Sequence, residues 1–137
     1  MIRLVIDSRL SEIGRAMDFV DAFRESHRLG EADANALCVV LDELLSNTIR
    51  HGLGGAAGHE ISVTLERADG EVVIEIEDDG AAFDPTQAAA PVLPRTLAER
   101  TPGGIGVLFV RQLTHAMEYM RVEGRNRITL RRRLESA

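Results

Sequence analysis

The sequence is poor in cysteine and has no long apolar run. Cys38 is the only cysteine, so the chain cannot form an internal disulfide, and one thiol is typical of a protein from a reducing cytoplasm. Cys38 is interpreted as core packing, because it lies beside the apolar stripe of a predicted helix. No apolar run approaches the roughly 20 residues that span a bilayer. The first seven residues are too short and too polar for a signal peptide. The sequence therefore predicts a cytoplasmic protein without a membrane segment.

Negative side chains outnumber positive ones, 22 to 16. The formal net charge of −6 argues against a general nucleic-acid binder, so no direct nucleic-acid partner is expected. To bind an anionic ligand, the protein would need local binding groups, such as glycine-loop amides, a helix N-terminus and a few arginines. The arginines near the C-terminus form a basic end that is interpreted as a solvated face: Arg125, Arg127, Arg131, Arg132 and Arg133.

Proline is absent outside one segment, 83–102, which also lacks a helical or strand period and is either functional or disordered. Elsewhere the pattern predicts an initial strand, a helix, and a second helix over 31–51. A hairpin follows with strands over 61–65 and 72–77 around Asp69-Gly70. A helix over 107–114 and a hairpin with strands over 117–122 and 127–134, joined by a turn at 123–126, complete the chain. Without repeats or a shift in composition, we expect a single domain, 1–137.

The second helix carries an acid and an amide, Glu43 and Asn47, one turn apart on the same face. The amide oxygen can ligate a hard divalent cation, and the carboxylate can deprotonate a neighbouring water or hydroxyl. From this helix alone, a solvated polar face is the favoured interpretation.

Two glycine-containing motifs follow. Asp78-Asp79-Gly80 ends a predicted strand, where a carboxylate could accept a hydrogen bond from an exocyclic amine; a plain strand-ending turn is the alternative. Gly103-Gly104-Ile105-Gly106 opens a helix, so its amides could approach phosphate oxygens. It is neither a Walker loop nor a dinucleotide fingerprint, and alone it is weak evidence.

Taken in this order, the motifs resemble those of the GHKL ATPase superfamily. The chain is most similar to its stand-alone bacterial anti-sigma-factor serine/threonine kinases. The matching segments are 43–47 with His51 and Gly52, then 78–85, then 103–111, and the closing hairpin at 124–126 also fits. The resemblance covers essentially the whole length. Ala82 departs from it, because many members have a second glycine there, which bears on lid mobility more than on ATP binding.

The resemblance implies a role for the matching residues of the first two segments. Asn47 would ligate Mg²⁺ bridging the ATP phosphates, and Glu43 would be the general base for the acceptor serine of a partner protein. Asp78 would bind the adenine amine, and Gly80 would give the ring room. Phe83 belongs to the same nucleotide-binding segment.

The remaining site residues are expected around the phosphates. They are Gly103, Gly104, Ile105 and Gly106, with Gly104 and Gly106 letting a lid close. The lid, 83–102, should be poorly ordered without nucleotide and ordered with it. His51 could touch phosphate or interact with the helix dipole. For Arg95 and Arg100, solvated loop charge is the favoured alternative to a phosphate or partner contact.

The fold implied is α+β, a two-layer α/β sandwich of the Bergerat type. Its mixed, mostly antiparallel sheet would carry three helices on one face. The function implied is an anti-sigma factor and ATP-dependent serine/threonine kinase that phosphorylates an anti-anti-sigma (STAS-type) protein in a partner-switching system. A sigma factor would be its other partner, and a homodimer is an expectation. The alternative is a non-catalytic, nucleotide-gated protein-binding module. A histidine-kinase ATPase domain is disfavoured, because no helix with a phosphoacceptor histidine lies upstream.

Overall fold

A computed structural model describes residues 1–55, 57–84 and 104–135, with the backbone alone for 104–107. The sheet has five strands: β1 (Ile2–Asp7), β2 (Glu60–Ala68), β3 (Glu71–Asp78), β4 (Ala116–Val122) and β5 (Arg125–Arg133). The α-helices of this described part are α1 (Ile13–His27), α2 (Glu31–Asn47) and α3 (Gly104–Leu113). A short 3₁₀ turn (Leu10–Glu12) precedes α1, and a π-helical turn (Thr48–Gly52) extends α2. No helix in the described ranges is long and apolar enough to cross a membrane.

The strand order in the sheet is β1-β2-β3-β5-β4, and every described pairing is antiparallel. The register pairs Asp78 at the end of β3 with Asn126 at the start of β5 and with Ile61 on β2. The end of β3 therefore lies between the beginnings of both neighbouring strands. The expected two-layer α/β sandwich is confirmed.

The core lies between one face of the sheet and the helices. Alternate residues of the central strands are fully buried, which is the period-two pattern of a strand with one covered face. They meet the apolar stripe of α2, where Leu37, Leu41, Leu44 and Leu45 are all completely buried. The α2 helix also packs against α1 and α3. It is therefore the central helix of the layer, as its periodicity predicts.

Both hairpins turn on two residues with positive φ, the geometry that suits twisted antiparallel strands. Asp69 and Gly70 have φ of 49° and 79°, which confirms the predicted turn. Glu123 and Gly124 have φ of 50° and 78°. Since two residues complete the second turn, the expectation that it extends to residue 126 is wrong, and Asn126 lies within β5.

The basic C-terminal end divides between the two faces of the sheet. Arg125, Arg127 and Arg131 pair with glutamates of β3 on the open face. Arg132 faces the helices, because strand side chains alternate. It is buried, and its Nη2 lies 3.1 Å from Asp33 Oδ1. The expectation that all five arginines form a solvated face is therefore wrong for Arg132.

Candidate functional site

Glu43 and Asn47 lie one turn apart on the last two turns of α2. Asn47 is buried, with 7% of its surface exposed, and Glu43 is half-buried. The Oε1 atom of Glu43 is enclosed and has no hydrogen-bond partner among the described residues. A buried oxygen with an unmet acceptor is unusual in a folded protein and needs an explanation, such as a catalytic role or an absent ligand.

The surroundings of Glu43 also change its protonation. Burial raises the pKa of the Glu43 carboxyl above its ordinary value, and the negative charge of Asp42 raises it further. Asn47 and Arg50 act in the opposite direction and do not outweigh burial. A carboxylate with a raised pKa takes up a proton more readily, which suits a general base.

The chain leaves α2 through the π-helical turn. A backbone hydrogen bond of 2.8 Å from Leu53 N to Thr48 O spans the five residues typical of a π turn, and a second one, from Gly55 N to Ile49 O at 2.8 Å, follows it. Single π turns are frequent at functional sites. His51 lies in this turn, is exposed, and its imidazole makes no hydrogen bond within the described part of the chain. Its expected contact with phosphate therefore stays a prediction.

Asp78 ends β3 with its side chain turned into the protein, and only 5% of its surface is exposed. Its Oδ1 accepts hydrogen bonds from the Gly80 amide at 2.8 Å and from Asn126 Nδ2 at 3.0 Å. Its Oδ2 accepts none from the described residues, so this oxygen is available to a ligand. Asp79 points the other way, is exposed, and lies 2.9 Å from His59 Nδ1. The two neighbouring carboxylates are thus separated by strand alternation.

Gly80 brings the second motif against the end of α2. A Cβ atom at this position would collide with the side chain of Leu53 and would lie 3.0 Å from Asp78 Oδ1. Phe83 lies against Gly52, where a Cβ atom would be 3.1 Å from its ring. The absence of side chains at Gly52 and Gly80 therefore allows the first two motifs to pack together.

The third motif is only partly described. Gly104, Ile105 and Gly106 form the first turn of α3, so this helix begins before residue 107, the predicted start. Gly103, Arg95, Arg100 and residues 85–102 of the expected lid lie outside the described residues. The expected contacts of the glycine motif with phosphate stay predictions.

Asn126 is a site residue to which the sequence pattern assigned no role, although its hairpin fits the family. Its Nδ2 donates to Asp78 Oδ1 and, at 2.8 Å, to the carbonyl oxygen of Ala81. It therefore joins β5 to both the buried carboxylate and the segment that follows it. The available signal was an asparagine two residues after the glycine of a hairpin turn, which local pattern alone reads as part of the turn.

Comparison with known proteins gives concordant results. A family described as "Histidine kinase-like ATPase domain" matches residues 6–132. The serine/threonine-protein kinase BtrW of Bordetella bronchiseptica is 40% identical over 94 residues, which cover 69% of this chain and 66% of BtrW, just under two thirds of it.

Two solved structures share the fold. The RsbU and RsbW domains of Rv1364c from Mycobacterium tuberculosis match with a TM-score of 0.62 and 17% identity, covering 98% of this chain and 33% of that one. The mycobacterial sensor histidine kinase MprB matches with a TM-score of 0.52 and 16% identity, covering 97% of this chain and 98% of that one. At these identities the two structures support the fold alone.

Proposed function

Since the chain belongs to the histidine kinase-like ATPase domain family, we propose that it is an anti-sigma factor and ATP-dependent protein serine/threonine kinase. It phosphorylates an anti-anti-sigma (STAS-type) protein in a partner-switching system. The similarity to a serine/threonine-protein kinase supports this choice within the family. The membership agrees with the resemblance to GHKL ATPases seen in the three motifs.

The observation that carries the proposal is the unmet Oε1 of Glu43 beside Asn47. If α2 served only for packing, a hydrogen-bond donor for this oxygen, or an apolar side chain in place of Glu43, would make the protein more stable. Its retention next to a buried amide, with a raised pKa, suits a base that holds a proton only during a reaction.

The same pair fits a magnesium ion. Mg²⁺ prefers oxygen ligands and usually keeps water and substrate phosphates in its shell, so the amide oxygen of Asn47 would be one ligand beside water and phosphate oxygens. When bound, the ion would neutralise charge on the phosphates of ATP. The described residues contain no cluster of three or more histidine, cysteine or acidic side chains that could hold a metal without a substrate.

In this proposal the adenine base binds at the end of β3. Asp78 Oδ2 accepts a hydrogen bond from the exocyclic amine of adenine, while Gly80 and Phe83 line the ring. Guanine carries a carbonyl at the equivalent position, which would face the carboxylate without a hydrogen, so the site selects ATP over GTP. The amides of Gly103, Gly104, Ile105 and Gly106, and the side chain of His51, contact the phosphates.

In the transfer step, Glu43 accepts the proton of the partner's serine hydroxyl. The hydroxyl oxygen forms a bond to the γ-phosphorus, and the bond between this phosphorus and the β–γ bridging oxygen breaks. ADP leaves with the bridging oxygen, and the products are phosphoserine and a protonated Glu43, which returns its proton to water. Glu43 is thus the catalytic residue, and Asn47 orients the phosphates.

The partners of the proposal are a sigma factor and the anti-anti-sigma protein. Phosphorylation of the latter releases it and leaves the kinase free to hold the sigma factor, so the protein regulates transcription in the cytoplasm without binding nucleic acid. A homodimer belongs to the same proposal.

A transfer assay separates this proposal from the nucleotide-gated binding module. Wild-type protein, Glu43→Gln and Glu25→Gln are incubated with Mg²⁺, γ-labelled ATP and the small STAS-type regulator encoded beside the kinase. Glu25 is an exposed acid of α1 and serves as the matched control. The expected result is label on a serine of the regulator with wild type and Glu25→Gln. With Glu43→Gln we expect a rate lower by about a thousandfold. Nucleotide-dependent binding without any transfer would contradict the kinase and establish the module.

A further inference from the structure

The segment after Asp78 is held by a cluster of three side chains from the β4–β5 hairpin: Asn126, Arg121 and Tyr119, here called the Asn126 cluster. Asn126 is 1% exposed and uses both ends of its amide. Its Nδ2 donates to Asp78 Oδ1 and to Ala81 O. Its Oδ1 accepts from the Phe83 amide at 3.3 Å, from Arg121 Nη1 at 3.0 Å and from the Tyr119 hydroxyl.

Arg121 adds a direct contact with the same segment. Its Nη1 donates to the Gly80 carbonyl oxygen at 2.7 Å as well as to Asn126. Arg121 lies opposite Asn126 in the β4–β5 register, and Tyr119 is two residues earlier on the same face. The backbone after β3 is thus held at three polar atoms, Gly80 O, Ala81 O and Phe83 N.

The chemistry of the neighbours determines which way the amide of Asn126 points. A carboxylate and a carbonyl face one end, and a guanidinium, a hydroxyl and a backbone amide face the other. In the reverse orientation, oxygen would face oxygen and the NH₂ group would face the guanidinium. Only a side chain that donates at one end and accepts at the other satisfies both sides.

The cluster also determines which oxygen of Asp78 remains for a ligand. Oδ1 is occupied by Gly80 N and Asn126 Nδ2, and the carboxylate cannot rotate without losing both bonds. Oδ2 then keeps a fixed direction. Positioned acceptors bind more tightly than mobile ones, because the ordering is already complete before the ligand arrives.

We propose that the Asn126 cluster positions Asp78 and the Gly80–Phe83 backbone for the nucleotide base, with Asn126 as the central positioning residue and Arg121 as its support. The proposal rests on the proposed function, since it assigns the purpose of the cluster to the same nucleotide site. The β4–β5 hairpin then acts on the binding site through the hydrogen bonds of these side chains, which position the groups that contact the base.

Arg121 offers the cleaner test, because it is largely exposed and its removal should leave the fold intact. Arg121→Ala removes both bonds, and Arg121→Lys restores a charged donor. Arg127→Ala is the matched control, since Arg127 makes ion pairs with β3 glutamates on the open face of the same hairpin. Asn126→Ala removes the centre of the cluster. Each variant is compared with wild type by calorimetric titration with Mg-ATP, by thermal unfolding, and by amide hydrogen exchange of the nucleotide-free protein.

We expect Arg121→Ala to raise the Kd for Mg-ATP about tenfold, Arg121→Lys to restore most of the affinity, and Arg127→Ala to bind like wild type. Asn126→Ala should lose about a hundredfold. In the free protein, exchange at the Gly80 and Phe83 amides should accelerate in Arg121→Ala and Asn126→Ala but not in Arg127→Ala, while the Tm of Arg121→Ala stays at the wild-type value.

The outcomes separate this proposal from the function on which it rests. Wild-type protein that binds no ATP would overturn the proposed function and the nucleotide role of the cluster together. Wild-type binding accompanied by equal affinity in Arg121→Ala and Asn126→Ala would overturn the cluster alone. Loss of affinity in Arg121→Ala that Arg121→Lys does not restore, together with a lowered Tm, would show a structural role instead of a positioning one.

Discussion

The two ends of α2 carry polar groups of opposite character. Near its start, Asp33 is buried and accepts hydrogen bonds from Arg132 Nε at 3.2 Å and from the Glu135 amide at 3.2 Å. Arg132 also donates to Leu113 O at 2.8 Å. Near the other end, Glu43 retains an enclosed oxygen without a partner among the described residues, and Asp78 keeps one oxygen available.

This difference separates groups used for folding from groups used for chemistry. The Asp33–Arg132 pair ties together the start of α2, the end of α3 and the end of β5, and its bonds are made within the chain. The environment of Glu43 costs stability, because the desolvation of its Oε1 is not compensated by a hydrogen bond from the described residues. Proteins break local rules of this kind mainly where a ligand or a reaction needs the group.

The largest expected effect on stability comes from removing the ion pair near the start of α2. Arg132→Ala leaves the Asp33 carboxylate buried without its ion-pair partner, which should lower the free energy of unfolding by about 3–5 kcal/mol. Urea denaturation measures this change. Arg133→Ala, one residue along β5 and exposed, is the control and should change it by less than about 0.5 kcal/mol. A loss below about 1 kcal/mol in Arg132→Ala would show that this pair does not anchor the fold.

Substitution of a polar residue near the other end of α2 should weaken ligand binding and leave the fold intact. Asn47→Ala removes the expected magnesium ligand, and alanine is the better helix former, so stability should be retained. We expect Mg-dependent affinity for ATP to fall at least about tenfold, measured by titration with and without Mg²⁺. Ser46→Ala, next along α2, is a matched control for a polar helix residue. Unchanged affinity in the presence of Mg²⁺ would contradict the metal assignment.

A smaller effect is expected in the pH dependence of the free energy of unfolding, which also distinguishes the two ends of α2. Because burial raises the pKa of Glu43 above 4.5, the folded protein binds more protons than the unfolded chain between 4.5 and the raised value. The free energy of unfolding therefore falls as pH rises through this window. Glu43→Gln cannot ionise, so it should equal wild type in stability below the window and exceed it at neutral pH. Denaturation across this range, with Glu25→Gln as control, measures the difference; a variant less stable than wild type at neutral pH would show that the Glu43 charge supports the fold.

Short-range sequence patterns predicted the main helices and strands. The alternation of β2 and β3 and the Asp69-Gly70 turn predicted a hairpin that the structure contains, and the periodicity of α2 placed Glu43 and Asn47 on one face. The burial of Asp78 and the exposure of Asp79 followed from strand alternation. These features depend on neighbours only a few residues away.

Features that depend on distant partners were missed. Asn126 bonds with Asp78 across 48 residues, and Arg132 bonds with Asp33 across 99. Nothing local to either residue distinguishes it from a turn asparagine or a surface arginine, because the partner is chosen by strand register and helix packing. The π-helical turn after Asn47 also has distant neighbours, since Phe83 lies against Gly52 and Gly80 lies against Leu53.

The most direct test of the account is a calorimetric titration of wild type, Asp78→Asn and Asp79→Asn with Mg-ATP and Mg-GTP. The two substitutions are chemically identical and one residue apart, but one alters the buried carboxylate and the other the exposed one. The account predicts that wild type prefers ATP, that Asp78→Asn weakens ATP binding at least about tenfold with GTP less affected, and that Asp79→Asn binds as wild type does. Damage confined to Asp79→Asn, or wild-type protein that binds neither nucleotide, would contradict it.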